Sequence, residues 1–163
     1  MKYHGQTVMN HSKVAIDLGN GTVWDGSQPL MSAASRKVSG SIDAVFYIKS
    51  MVKDNYNQLL LDFGPDYAVE FRTYDEGLAW RFVVKKDEPF RIYGETAQFN
   101  FASSMPALAA NARFSHKTDP WQCTFEAMYA DIPLAGFEEG RLYYSPLLVK
   151  GTDARFGIAE SDA

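Results

Sequence analysis

With 163 residues, 16 basic and 20 acidic side chains and a formal charge of -4, the chain lacks the basic clustering that neutralises a phosphate backbone, so nucleic-acid binding is not expected. Its length allows one domain with a core, but not a core plus a catalytic barrel of about 250 residues. The single cysteine, Cys123, excludes an internal disulfide, a zinc knuckle and a thiol redox pair, and no apolar run approaches the ~20 residues of a membrane-spanning helix.

In chain order, residues 2–9 read as a broken strand around Gly5, and the opening Met1-Lys2-Tyr3-His4-Gly5 is not the start of a secretion signal. Val14, Ile16 and Leu18 alternate with Lys13, Ala15 and Asp17, a strand that Gly19-Asn20-Gly21 turns back onto residues 22–24. Residues 25–40 are polar and rich in Ser and Gly, which predicts a loop or a weak edge. Ile42, Ala44, Phe46 and Ile48 alternate and predict a further strand, ended by Lys53-Asp54-Asn55.

Residues 55–84 hold three strand-like runs separated by turn residues. Leu59, Leu61 and Phe63 share one face before Gly64-Pro65-Asp66. Val69, Phe71 and Thr73 alternate with Glu70, Arg72 and Tyr74, a half-buried strand with a charged outer face. After Asp75-Glu76-Gly77, Leu78, Trp80, Phe82 and Val84 alternate with Ala79, Arg81 and Val83, a spacing that no helix places on one narrow face. Lys85-Lys86-Asp87-Glu88-Pro89 is a solvated turn. Residues 91–101 resume the β pattern, with a phase change near Glu95-Thr96 that suits a bulge.

The alanines of residues 105–113 suit a short helix or an irregular loop. Residues 121–129 return to strand-like composition and carry Glu126 between Phe125 and Tyr129. Residues 141–149 and 154–160 form a last pair of strands around the loop Lys150-Gly151-Thr152-Asp153. Roughly nine or ten short strands with almost no helix describe an all-β, antiparallel β-sandwich.

Several blocks carry a resemblance. Tyr56-Asn57-Gln58-Leu59, Phe71-Arg72 with Tyr74-Asp75-Glu76-Gly77-Leu78-Ala79-Trp80-Arg81-Phe82, Glu95 with Phe99-Asn100-Phe101, Phe125-Glu126 with Tyr129, and Ser145-Pro146-Leu147-Leu148-Val149 followed by Ile158-Ala159-Glu160-Ser161-Asp162 occur in one order. They resemble the N-terminal domain of glycoside hydrolase family 97, a family of α-glucosidases and α-galactosidases. The resemblance implies a β-super-sandwich of the galactose-mutarotase-like kind, incomplete here at both ends, that packs against a catalytic (β/α) barrel.

That resemblance implies a non-catalytic domain, since the family's acid and base or nucleophile lie in the barrel, and no catalytic residue is assigned here. It also implies a calcium ion beside the catalytic carboxylates, with one glutamate ligand from the stretch that Phe125-Glu126 to Tyr129 resembles. Glu126 is the residue so implied, as half of a metal site completed by the barrel; its alternative is an outward-facing strand glutamate. Glu160, Trp121 and Tyr129 are candidates for the domain interface or the substrate side. For Glu160 a solvated strand end, and for Trp121 and Trp80 core packing, are the favoured alternatives. His4, His11 and His116 are too scattered for a metal site.

The implied partners are the barrel and, in the intact enzyme, an α-linked oligosaccharide; no nucleic acid or membrane partner is expected, and the parent would be periplasmic or secreted. Two other readings stay open. One is a stand-alone carbohydrate-binding sandwich using exposed aromatics near Trp121 and Tyr129, against which a buried Trp121 would count. The other is a truncated gene product that exposes apolar surface where strands and barrel should pack.

Overall fold

The computed structural model describes residues 1–111 and 126–160. Among them the chain is all-β: fifteen short strands, every pairing antiparallel, and one 3-10 turn at Leu134–Gly136. No helix of the described residues is long and apolar enough to cross a membrane. The chain divides into two compact units, residues 12–98 and residues 1–11 with those from 99 onward.

The chain opens on the hairpin β1 (Lys2–Tyr3) and β2 (Gln6–Thr7), whose two turn residues, His4 and Gly5, both have positive φ, the twist that suits a two-residue hairpin turn. In the first unit, β3 (Val14–Asp17) turns through Gly19-Asn20-Gly21 onto β4 (Val23–Trp24), as the spacing predicts. Asp17 accepts the Gly19 N–H at 2.8 Å and Asn20 accepts the Thr22 N–H at 3.0 Å, so both polar side chains brace the turn. Gly19 has φ 70°, and a Cβ there would lie 2.2 Å from the Tyr93 ring.

Next come β5 (Ser32–Val38), β6 (Ser41–Asp43) and β7 (Met51–Lys53), followed by the three expected runs as β8 (Tyr56–Asp62), β9 (Tyr67–Thr73) and β10 (Leu78–Val84). The last three and β5 make one sheet in the order β10-β9-β8-β5. Residues 32–38 are thus an edge strand rather than a loop. Ladder bonds to β8 over the whole register from Ser32↔Asp62 to Val38↔Tyr56 order them without an apolar face, and Arg36 and Lys37 give the edge the charge that discourages further pairing.

The strand expected through Phe46 and Ile48 stops at Asp43. It turns back on itself as the β6–β7 hairpin, and Phe46 and Ile48 stay exposed. β11 (Gly94–Ala97) pairs with β3 in an unbroken register, Gly94↔Asp17 to Ala97↔Val14, so the phase change at Glu95-Thr96 makes no bulge.

The register allots the faces of the four-stranded sheet. Leu59, Leu61, Val69, Phe71, Trp80 and Phe82 share one side, and Ile16, Leu18 and Trp24 close over the end formed by Tyr67 and Val69. Tyr67 lies stacked between Trp24, 4.9 Å away, and Phe63, 5.1 Å away. Its hydroxyl donates to Gln28 and accepts the Gly26 N–H at 3.2 Å, so the phenol is satisfied at 1% exposure. The far end of the same face is open: Leu59 and Leu78 are 39% and 37% exposed.

On the opposite side, Glu70 is buried at 2% exposure rather than outward-facing as its alternation suggests. Arg72 Nε donates to its Oε1 and Arg81 Nε to its Oε2, both at 2.7 Å, while Gln58 donates to Oε1 and itself accepts from Arg36. One side chain from each strand of the sheet therefore meets in a chain centred on this carboxylate, with Arg72 over the Tyr56 ring at 4.7 Å. Burial pushes the Glu70 carboxyl up, but the donors on Arg72, Gln58 and Arg81 outweigh it and hold it at about 2.

In the second unit, β12 (Pro106–Ala109), β13 (Ala130–Pro133), β14 (Leu147–Lys150) and β15 (Arg155–Ile158) form a sheet in the order β13-β12-β14-β15. The helix or loop expected at residues 105–113 is a central strand over Pro106–Ala109. Ala107 and Ala109 are both fully buried on its inner face, where burial between two neighbours overrides the helical preference of alanine. Pro106 sits at the strand's first position, where a missing N–H costs least.

Two outcomes follow. Glu70→Gln removes the charge from two ion pairs and should cost about 1 to 3 kcal/mol at neutral pH by urea unfolding. Because the folded pKa lies below the ordinary value of 4.5, the stability difference between native chain and variant should be complete above pH 4.5 and shrink as pH falls toward about 2. Tyr67→Phe, which keeps the stack but strands the Gln28 and Gly26 partners, should cost about 1 to 2 kcal/mol in the same assay.

Candidate functional site

Residues 126–129, which precede β13, are not strand, so the strand expected over residues 121–129 is absent from its described part. Ala127 is half-buried and packs against Ala110 and Tyr144. With that residue turned inward, its neighbours Glu126 and Met128 are left exposed, Met128 at 84%. Among the described residues no basic side chain pairs with Glu126.

Tyr129 donates from its hydroxyl to the Pro146 carbonyl at 3.0 Å and keeps 47% of its surface exposed. The Glu160 backbone N–H donates to Ser145 Oγ at 3.2 Å, and the Glu160 side chain is exposed. Two of the sequence candidates, Tyr129 and Glu160, are thus tethered to the same Ser145-Pro146 step. That step is anchored by Tyr144, buried at 9% exposure, whose N–H donates to the Ala110 carbonyl at 2.9 Å. Trp121 lies outside the described residues. Trp80 is half-buried on the apolar sheet face of the first unit, in line with the packing role.

Beside Ser145 opens a cavity of about 650 Å³ lined by Phe99, Phe101, Phe137, Tyr143, Leu147 and Ile158 among others. Phe137 and Tyr143 meet with ring centroids 4.4 Å apart, and the Tyr143 hydroxyl accepts the Glu138 N–H at 3.2 Å. Nearby acids are already engaged: Glu138 pairs with Arg141 at 2.8 Å, and Asp131 pairs with Lys150. Sequence reading did not single out Tyr143 and Tyr144. Their adjacency to the Ser145-Pro146 block was the available signal.

Calcium takes 6 to 8 oxygen ligands. Among the described residues no three His, Cys, Asp or Glu side chains come together as a metal cluster. Glu126 offers one exposed carboxylate without a basic partner among the described residues, which by itself is far short of such a ligand set.

The chain shares its fold with two structures of a glycoside hydrolase family 97 enzyme from Pseudoalteromonas sp. strain K8, an R171K variant and a complex with acarbose. Each aligns at TM-score 0.70 and 19% identity over 93% of this chain and 23% of the enzyme. A retaining alpha-galactosidase of Bacteroides thetaiotaomicron is 32% identical over 98% of this chain and 25% of its own length. The chain therefore spans about a quarter of the length of these relatives. The sequence model described as Glycosyl-hydrolase 97 N-terminal matches residues 1–163, the whole chain, which belongs to that family.

Proposed function

We propose that this chain is the non-catalytic N-terminal β-domain of an α-glycoside hydrolase, braced against a catalytic barrel and lending Glu126 to a calcium ion at the active site. The observation that carries the reading is the disposition of Glu126: exposed, without a cationic partner among the described residues, and held outward by the inward packing of Ala127. A carboxylate in that state keeps its lone pairs for a metal. The ion would supply electrostatic stabilisation beside the glycosidic bond, while the paired carboxyl groups that cleave it would belong to the barrel.

Tyr129 and Glu160, tethered to Ser145-Pro146, would lie on the same side as Glu126 and face the barrel or the sugar. The alpha-galactosidase relative and the acarbose-bound enzyme support an α-linked substrate. Galactoside or glucoside preference would be set in the barrel.

Calorimetric calcium titration tests this on the 163-residue chain and on a longer polypeptide that joins it to a family 97 barrel, each with and without Glu126→Gln. Binding is expected only for the longer polypeptide, weakened at least tenfold by the substitution. Equal affinity with and without the substitution would remove Glu126 as a ligand.

A further inference from the structure

On the polar side of the four-stranded sheet, the register sets Arg36, Gln58 and Arg72 in one row across β5, β8 and β9, with Glu70 and Arg81 in the next row on β9 and β10. Three guanidinium groups therefore share one hydrogen-bonded network with a single buried carboxylate, a surplus of two positive charges on a chain whose formal charge is -4. Other acids close by are already engaged. Asp62 pairs with Lys85 at 2.6 Å, and Asp54 accepts the Tyr74 hydroxyl at 3.2 Å.

Arg36 carries the surplus most openly. It is exposed, its Nε donates to the Gln58 amide oxygen, and among the described residues no acidic side chain pairs with it. A guanidinium has five N–H donors, so most of those on Arg36 are not spent in the network. Gln58 is no counter-ion, since its oxygen takes Arg36 and its nitrogen gives to Glu70. Arg72 stands two strands away, about 10 Å along the sheet, and its side chain keeps 29% of its surface exposed.

We propose that Arg36, with Arg72 across Gln58, holds a tetrahedral oxyanion group, a sulfate or a phosphate, on this face of the sheet. Guanidinium forks match such oxygens with paired N–H donors. Donors from the strands on both sides of Gln58 suit the four oxygens of a tetrahedral group better than the two of a planar carboxylate. Glu70 fixes Arg72 directly and Arg36 through Gln58, so the two forks lose little freedom when the anion arrives. A free ion and the end of an ester present the same oxygens.

The test is titration of the 163-residue chain with sodium sulfate at ionic strength held constant with sodium chloride, followed by NMR of the arginine Nε–H groups. One saturable site is expected, with the Arg36 and Arg72 signals moving together. Arg36→Gln should weaken binding at least tenfold, and Arg36→Lys, which keeps the charge and loses the fork, at least threefold. Lys37→Gln removes the same charge from the next residue of β5, on the opposite face, and should change affinity less than twofold. Phenyl phosphate beside inorganic phosphate separates the sources: equal affinity assigns an ester, and at least tenfold weaker binding of the ester assigns the free ion. Shifts that follow chloride as closely as sulfate, or equal weakening by Lys37→Gln and Arg36→Gln, would reduce the face to diffuse screening and overturn the site. Acetate bound as tightly as sulfate would overturn the tetrahedral group.

Discussion

The four-stranded sheet of the first unit depends on one carboxylate. Glu70 is 2% exposed and takes donors from Gln58, Arg72 and Arg81, with Arg36 joined through Gln58, so every strand of the sheet contributes to its satisfaction. A one-residue slip in register would turn Glu70 toward Trp24 and Tyr67 and strand a charge in an apolar core, at a cost of several kcal/mol by order of magnitude. Replacing such a network by apolar residues is often neutral for stability, so the penalty on the slipped register, rather than a net gain in stability, is the consequence of burying this charge. The aromatic stack and the allotment of apolar residues to one face both follow from the register it selects.

That allotment leaves work undone. Ile16, Leu18 and Trp24 cover the Tyr67 end of the apolar face, while the Leu59 and Leu78 end and the 45–48 loop stay open to water. Apolar side chains grouped in this way are more than the scattered exposed residues that a protein surface ordinarily carries. In the second unit, the Ser145-Pro146 step plays the organising part, holding Tyr129 from one segment and Glu160 from another. The relatives that the chain matches are about four times its length.

The central meander was legible because Leu59, Val69 and Trp80 fall on clean two-residue alternations bounded by Gly and Asp turns. The β3–β4 hairpin was legible for the same reason. Edge strand β5 was only half legible, as its Ser, Ala, Arg and Lys side chains contact no core and its order comes from backbone ladder bonds. Strand β12 was read as helix or loop because alanine satisfies either geometry until its neighbours are known. Alternation through Phe46 and Ile48 misled in the opposite direction, since a pattern shows that side chains seek burial without showing that a surface is present. Glu70 looked solvent-facing because its donors Gln58 and Arg81, on the two neighbouring strands, are invisible to local pattern. Glu126 stood out only through the family resemblance; its lack of a basic partner among the described residues is a matter of tertiary placement that no local pattern shows.

Native-state hydrogen exchange on the intact chain tests most directly whether the Glu70-centred sheet organises the first unit. The slowest amides of residues 12–98 should be those of β9 and the facing residues of β8 and β10, exchanging together as one cooperative block. If protection is instead greatest in β3 and β11 while β9 exchanges as fast as the β6–β7 hairpin, the carboxylate network does not hold the sheet.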